Sequence, residues 1–304
     1  MASTTGIPEH PPETNNHEPR ESEPLLGRPG DVMQKPNESI FRNLYTGTGW
    51  LAQAGAVLLV ALVWSATFQN RPLIPLFSPH PLLQSAGVLV LTQAILILQP
   101  TSSTSASASS NKAAGARAHA SLNLLSFLLF AAGVLIIEAN KVRQGPGSHF
   151  HSAHGYLGVL TGVVLLVQYV FGFLMWGVPG VFGGVERAKA LWRYHRMSGY
   201  LLYPLVLATV LSAVYTDFNV NVLGIRMWTV CVAVALVVVG VYPRLHPRKL
   251  GFDIGRRQQR PQSIHGLVPY NDRNDTDVLV TPTIGNVPQV LPCASADEAP
   301  YYSP

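Results

Sequence analysis

The sequence predicts an all-α membrane protein with six transmembrane helices, of which helices two to five form a central four-helix bundle. Three observations lead to this fold class. Only 12% of the residues are charged, whereas soluble domains average about a quarter. The remaining charges are separated by long apolar stretches. A histidine lies at the start of four of the six predicted spans.

Six stretches of the chain contain no Asp, Glu, Lys or Arg between the charged residues that bound them. They run from Arg42 to Arg71, Arg71 to Lys112, Arg117 to Glu138, Arg143 to Glu186, Arg196 to Asp217 and Arg226 to Arg244. A soluble amphipathic helix would carry charge on its outer face, and a bilayer crossing needs about 20 mostly apolar residues. The predicted spans are 47–68, 80–99, 118–138, 154–176, 195–215 and 225–243.

The six spans define one domain, residues 43–245, between two polar tails. Residues 1–42 and 246–304 lack an apolar period and are rich in Pro and polar residues, so we expect both tails to be disordered. The segment from Thr101 to Ser110 contains only Ser, Thr and Ala, which is typical of a flexible linker.

The positions of Lys and Arg predict the orientation in the membrane. Most of them lie in the two tails and in the loops 99–117 and 177–194, and fewer lie on the other side. We therefore expect both termini to face the cytosol. These flanking charges account for the pI near 9.3, so nothing predicts nucleic-acid binding. Two cysteines are too few for a disulfide framework or a cysteine-based zinc site.

A histidine opens each of four consecutive spans, at His80, His119, His154 and His195. Because consecutive spans run in opposite directions, the topology pairs His80 with His154 on the non-cytosolic side. It pairs His119 with His195 on the cytosolic side. The two separations, 74 and 76 residues, are nearly equal, as an internal repeat would leave them.

Opposed imidazoles in a helical bundle are typical axial ligands of haem iron. Two such sites would make a relay across a hydrocarbon core about 30 Å thick. Glycines that would leave room for a flat macrocycle follow three of the histidines: Gly87, Gly158, Gly162 and Gly199. A single histidine at a membrane interface is usually just a polar residue, and spaced glycines often serve helix packing. The joint pattern favours haem ligation.

Four motifs around these histidines resemble the cytochrome b561 family. They are Ser78-Pro79-His80-Pro81, His119-Ala120-Ser121-Leu122-Asn123, the segment from His149 to Gly158 continuing to Gln168 and Gly172, and Tyr194-His195-Arg196-Met197-Ser198-Gly199. The resemblance covers roughly residues 48–242 and indicates a divergent, fungal-like member.

The resemblance implies two b haems, one held by His80 and His154 and the other by His119 and His195. Typical members take an electron from cytosolic ascorbate and deliver it to monodehydroascorbate or ferric chelates. It therefore implies a multi-pass transmembrane oxidoreductase in contact with membrane lipid, with a homodimer as one candidate assembly. The segment from Glu21 to Leu26 resembles an acidic dileucine signal for sorting to a vacuole or lysosome, a pattern that also occurs often by chance. A vacuolar or endosomal membrane and the plasma membrane are therefore both candidates.

The chain departs from the family pattern at the predicted cytosolic end. The family's Tyr-Arg pair after the second helix is replaced by Leu-Gln-Pro at 98–100, and a basic residue before His119 is replaced by Ala116. Four basic residues offer a substitute anion-binding rim: Lys112, Arg117, Arg193 and Arg196. Arg117 is the candidate contact for a haem propionate or an anionic reductant. The alternative is that these residues only set the orientation of the protein.

Two further histidines, His149 and His151, form an H-x-H-x-x-H pattern with His154. They predict either a landing site for a metal acceptor or ordinary interfacial polar residues, and the second interpretation is favoured.

Two other functions compete with electron transfer to a small-molecule acceptor. The first is a non-catalytic haem subunit that exchanges electrons with a partner protein, which the missing Tyr-Arg pair favours slightly. The second is a transporter whose histidines relay protons. The spans contain no Asp or Glu apart from Glu138 at an end, so a proton path would lack carboxylates.

Overall fold

The described part of the chain forms six α-helices, in the order that the sequence predicts. The computed structural model describes residues 38–70, 72–100, 106–145 and 148–245. The helices are α1 (Gly49–Gln69), α2 (Pro79–Leu98), α3 (Ala106–Gln144), α4 (Ala153–Gly177), α5 (Val185–Ala213) and α6 (Met227–Val241). Helices α1, α2, α4 and α6 agree with the predicted spans to within two residues at each end. Helices α3 and α5 begin earlier than predicted.

Five of the helices are long and apolar enough to cross a membrane: α1, α2, α3, α4 and α6. Helix α5 is 29 residues long, but its N-terminal half carries several charges, including Glu186, Arg187 and Lys189. The described residues therefore form an all-helical bundle with five candidate spans. The sixth span, in the C-terminal half of α5, stays a prediction.

Helix α3 corrects the predicted linker. With 39 residues it is about 58 Å long, well beyond a hydrocarbon core of about 30 Å. The linker prediction for 101–110 is wrong in its second half because α3 begins at Ala106, and residues 101–105 lie outside the described part of the chain. Seven alanines between residues 106 and 120 explain the extension, since alanine has the highest helix propensity.

Local ion pairs support the charged end of α3 and the charged start of α5. Lys141 Nζ lies 2.7 Å from Glu138 Oε1 near the end of α3. Lys189 Nζ lies 2.7 Å from Glu186 Oε1 near the start of α5. Residues three apart are neighbours on a helix surface, so such pairs support helix outside the apolar region. A search for long apolar stretches therefore identifies only the apolar part of these two helices.

The most extensive helix contacts join α2 with α3, α1 with α6 and α4 with α5. The contact between α1 and α6 depends on small residues. A Cβ added to Gly240 would overlap the backbone of Ala52, and a Cβ added to Gly55 would lie 2.5 Å from the carbonyl oxygen of Ala233. Small residues at helix contacts in membranes allow this close approach of two backbones.

Helices α2 and α5 meet in the middle of the core. The hydroxyl of Tyr203 lies 2.6 Å from the hydroxyl of Thr92, and both side chains are at most 1% exposed. A buried hydroxyl without a partner would cost free energy, so this bond links α2 to α5 inside the core.

The chain enters the bundle through a short 3-10 helix, Ile40–Leu44, which overlaps the end of the tail predicted for residues 1–42. Asn43 explains this. Its side-chain amide donates to the carbonyl of Ile97 over 2.8 Å, and its own carbonyl accepts from Arg244 over 2.6 Å. The ends of α1, α2 and α6 are thus tied together. Residues 1–37 and 246–304, including the dileucine-like segment, lie outside the described residues.

Pro204 lies inside α5 and cannot donate the backbone hydrogen bond that would reach the carbonyl of Tyr200. The hydroxyl of Tyr242 donates to that carbonyl instead, over 2.8 Å. We expect Tyr242→Phe to lower the free energy of unfolding by about 1–3 kcal/mol, the cost of leaving one half-buried acceptor unpaired. Thermal unfolding in detergent measures this, with the exposed Tyr215→Phe as the matched control. Equal stability of the two variants would contradict the proposed role of Tyr242.

Candidate cofactor site

The structure brings His80 of α2 and His154 of α4 face to face. Their ring centroids are 6.2 Å apart and the ring planes are close to perpendicular. Two imidazoles bound to one metal ion from opposite sides, each at a nitrogen–metal distance of about 2 Å, have ring centroids about 6 Å apart. The two histidines predicted to share a haem therefore have a separation that fits a bis-histidine iron.

The outward nitrogens of these two rings are held by backbone carbonyls. Nδ1 of His80 lies 2.9 Å from the carbonyl oxygen of Gly133, and Nδ1 of His154 lies 3.0 Å from that of Thr209. A carbonyl can only accept, so Nδ1 carries the proton and Nε2 keeps its lone pair. This is how proteins orient a histidine for metal binding.

The other two histidines lie at the opposite end of the bundle. His119 of α3 is anchored in the same way, with Nδ1 2.6 Å from the carbonyl oxygen of Ala94. His195 of α5 lies within electrostatic range of His119. At this end Lys112 Nζ lies 5.6 Å from the ring centroid of Trp192, which also brings the starts of α3 and α5 together.

The carbonyl partners follow a regular spacing. Ala94, Gly133 and Thr209 each stand 14 residues after the histidine of their own helix, which are His80, His119 and His195 respectively. Fourteen residues of α-helix advance about 21 Å. Each helix thus supplies a candidate ligand at one level and an anchor for a neighbour's candidate ligand at the other. The two histidine pairs are separated by about this distance along the bundle.

His195 departs from this pattern. The residue 14 positions after His154 is Gln168, and its side chain, not its carbonyl, contacts the ring: Gln168 Nε2 lies 3.1 Å from Nδ1 of His195. The same amide nitrogen donates to the carbonyl oxygen of His195 over 2.7 Å. The sequence pattern includes Gln168 but does not predict this contact.

The glycines have different roles from one another. A Cβ on Gly158 or Gly162 would meet no atom within 4 Å, so α4 leaves open space along the face that carries His154. Gly87 does not leave such space, because its Cβ would lie 2.8 Å from the ring of Phe130, and the expectation for this glycine is wrong. The Cβ position of Gly199 is 3.1 Å from Gln168 Nε2, so this glycine accommodates Gln168.

In the sequence Gly172 is only one member of a motif, whereas the structure places it directly against His195. A Cβ at this position would lie 2.6 Å from Cε1 of His195. Only a glycine therefore leaves room for the imidazole against α4. The signal in the sequence was the spacing of 18 residues from His154, which is five helical turns and returns to the same face.

The remaining predicted site residues do not take part in the contacts of the two histidine pairs. Arg117 is exposed on α3, two residues before His119, and its contact with an anion stays a prediction. His149 Nδ1 lies 3.3 Å from Glu138 Oε2, while His151 is exposed. Because His154 faces His80, it does not form one site with His149 and His151. In the described ranges, no group of three or more His, Cys, Asp or Glu residues is placed to hold a metal ion.

The segment that replaces the family's Tyr-Arg pair is part of the packing. Gln99 is 5% exposed, and its side-chain amide donates to the carbonyl of Val241 over 3.1 Å and to the hydroxyl of Tyr200 over 3.3 Å. This side chain connects α2 with α5 and α6. It does not present a polar group to a small molecule outside the bundle.

Comparison with known proteins bears on the family to which the chain belongs. A family model described as eukaryotic cytochrome b561 matches residues 79–219, which include all four histidines. A human protein named probable transmembrane reductase CYB561D1 is 30% identical over 213 residues, which are 66% of this chain and 90% of the human protein. The chain belongs to the cytochrome b561 family. The resemblance drawn from the histidine motifs is confirmed, and at this level of identity the chain is a divergent cytochrome b561.

Two plant proteins are also similar to this chain. The probable ascorbate-specific transmembrane electron transporter 2 of Oryza sativa subsp. japonica is 30% identical over 169 residues, 52% of this chain. The ascorbate-specific transmembrane electron transporter 1 of Zea mays is 27% identical over 168 residues, again 52% of this chain. The chain spans 66% of the length of each of these two plant relatives.

Proposed function

We propose that this protein passes electrons across a membrane through two b haems. The observation that carries the proposal is the 6.2 Å separation of the His80 and His154 rings, with both Nδ1 atoms anchored so that each Nε2 is available to iron. When bound, a haem supplies a one-electron couple between ferric and ferrous iron. Gly158 and Gly162 leave space beside His154 for a flat ring.

The second site would be held by His119 and His195, about 21 Å further along the bundle. The anchoring of His119 on Ala94 repeats that of His80 on Gly133, which supports equivalent roles for both histidines. Two sites at two depths make a path across the apolar core, and neither site alone would do so.

The predicted direction runs from a cytosolic reductant to an acceptor on the other side. Ascorbate is the candidate reductant because the names of the rice and maize relatives specify it. Ferric chelates and monodehydroascorbate are the candidate acceptors. Arg117 and Lys112 would attract an anionic reductant to the end that carries His119. Both termini would be cytosolic, and the membrane would be vacuolar, endosomal or plasma membrane.

Vesicles test this function directly. The haem-loaded protein is reconstituted into liposomes that contain ascorbate, and reduction of an external ferric chelate is followed by absorbance. We expect reduction that requires the protein and that His119→Ala abolishes. If trapped dithionite reduces the haems but nothing outside becomes reduced, the proposal of electron transfer across the membrane is contradicted.

The second candidate function is an electron-transfer subunit that serves a partner protein. The burial of Gln99 favours it, since this residue stands where other members place a pair that contacts the reductant. The same vesicles separate the two functions. Trapped dithionite would reduce the haems in both cases, whereas trapped ascorbate would fail to reduce them in the subunit.

A further inference from the structure

A carboxylate and an imidazole face each other at the end of the bundle that carries His80 and His154. Glu138, near the end of α3, places Oε2 at 3.3 Å from Nδ1 of His149, which lies in the loop before α4. The two side chains are 38% and 32% exposed, so a solute outside the bundle can reach both.

The separation of these two atoms fits two ligands of one metal ion. Nitrogen–oxygen hydrogen bonds in proteins are usually about 2.7–3.2 Å long, so the 3.3 Å between His149 and Glu138 is long for a hydrogen bond. Two ligand atoms that each lie about 2.1 Å from a metal ion, at octahedral or tetrahedral angles, are about 3.0–3.4 Å apart. An imidazole with a carboxylate is a ligand set that iron and zinc accept.

The other oxygen of Glu138 is held by Lys141. Nζ of this lysine lies 2.7 Å from Oε1, and its side chain is 20% exposed. Carboxylates that bind metal ions are commonly hydrogen-bonded in this way, which fixes their direction. Oε2 is therefore the oxygen directed at His149. The positive charge of Lys141 also weakens the binding of a cation, so a bound ion exchanges with solution more easily.

The loop that carries His149 is held against the ends of two helices. The hydroxyl of Ser148 lies 2.7 Å from the carbonyl oxygen of Lys141 on α3. Phe150 has a φ of 54°, which is uncommon for a residue other than glycine, and its ring centroid lies 5.4 Å from that of Tyr156 on α4. The imidazole of His149 is thus carried by a loop with contacts on both of its sides.

This carboxylate is close to the first histidine pair. The carbonyl oxygen of Gly133 lies 2.9 Å from Nδ1 of His80. Glu138 follows Gly133 by five residues, which is about 7.5 Å along α3. The charge of Glu138 acts on the imidazole of His80 at this separation. An ion bound to Glu138 would therefore lie beside a haem that His80 holds.

We propose that Glu138 and His149 hold a transition-metal acceptor, such as ferric iron, while it is reduced. This inference rests on the proposed function. The electron that this function delivers to this end of the bundle converts the bound ferric ion to ferrous, and no bond or proton of the protein changes. In the described part of the chain, no third His, Cys, Asp or Glu joins the pair. Water or a small chelator then fills the other positions, so the reduced ion can leave.

Titration with Zn²⁺ measures this site without electron transfer, because Zn²⁺ has no redox chemistry. The haem-loaded protein in detergent is titrated calorimetrically, after its haem content per chain has been measured. We expect His149→Ala and Glu138→Gln each to weaken one binding event by at least about tenfold. The matched control is His151→Ala, which removes an exposed histidine two residues away and should leave the affinity unchanged.

The vesicles with trapped ascorbate test whether the site serves the acceptor. Ferric nitrilotriacetate leaves coordination positions of the iron open for protein ligands, whereas ferricyanide leaves none. We expect His149→Ala to need about a tenfold higher concentration of external ferric nitrilotriacetate for half-maximal reduction. Wild type, His149→Ala and His151→Ala should all reduce ferricyanide at the same rate.

Two results would overturn the inference. One is equal Zn²⁺ affinity in wild type and His149→Ala at equal haem content, because the contact between Glu138 and His149 would then be an ion pair only. The other is an unchanged dependence on ferric nitrilotriacetate in His149→Ala. A wild-type protein that passes no electron across the vesicle would contradict the proposed function, and this result is independent of the Zn²⁺ titration.

Discussion

Replacing His80 with alanine is expected to reduce the haem content from about two per chain to about one, and His154→Ala should do the same. The two rings lie 6.2 Å apart, so removing either would leave a haem iron at that site with one protein ligand. The remaining haem should keep the sharp bands of a six-coordinate centre. Haem extraction and the reduced-minus-oxidised spectrum measure both quantities.

The other histidine pair provides the complementary experiment. His119→Ala and His195→Ala should each remove the second centre and leave the first intact. His149→Ala is the control, since this histidine contacts Glu138 and does not turn toward His80. Loss of both centres in every variant would indicate a general failure to fold. Full haem content in His80→Ala would contradict the assignment of this residue as a ligand.

Gly172→Val is expected to remove the haem between His119 and His195 while the other haem stays. Even the Cβ of an alanine would lie 2.6 Å from Cε1 of His195, and valine adds two methyl groups. Gln168, also on α4, contacts the same ring, so a ring displaced by the added methyl groups would lose this contact as well. Haem content should fall from about two to about one per chain. The lost transition should be the one that is missing in His195→Ala.

The control for Gly172→Val is Gly177→Val, at the end of the same helix. A Cβ there meets only the ring of Phe173, at 3.5 Å, which is ordinary van der Waals contact. This variant should retain both haems. If both glycine variants keep two haems, the close approach of His195 to α4 does not exist in the loaded protein.

Much of the fold is predictable because apolar runs and charge-free lengths are local properties of the chain. The spans of α1, α2, α4 and α6 follow from them to within two residues. The early starts of α3 and α5 are not predictable in this way. Alanine-rich and ion-paired segments such as 106–117 and Glu186–Lys189 form helix without being apolar. The length of an apolar, charge-free run, which identifies a membrane span, therefore does not detect these segments.

The candidate site was predictable in its residues but not in its surroundings. Counting helix directions pairs His80 with His154 without any coordinates, because alternate spans start on the same side. That Gly87 accommodates Phe130, or that His149 pairs with Glu138, depends on the rotation of each helix about its own axis. This rotation is set by packing against neighbours and not by a residue's own sequence environment.

By itself, the amino-acid sequence determined the class of the protein, the number and order of its helices and the four histidines that open them. These follow from composition and spacing along one dimension. Only the tertiary structure decided which atoms meet Nδ1 of each histidine: carbonyls of Ala94, Gly133 and Thr209 for three of them, and the amide of Gln168 for His195. The physical reason is that a hydrogen-bond partner is selected by tenths of an ångström in the approach of two helices, a distance that no one-dimensional pattern encodes.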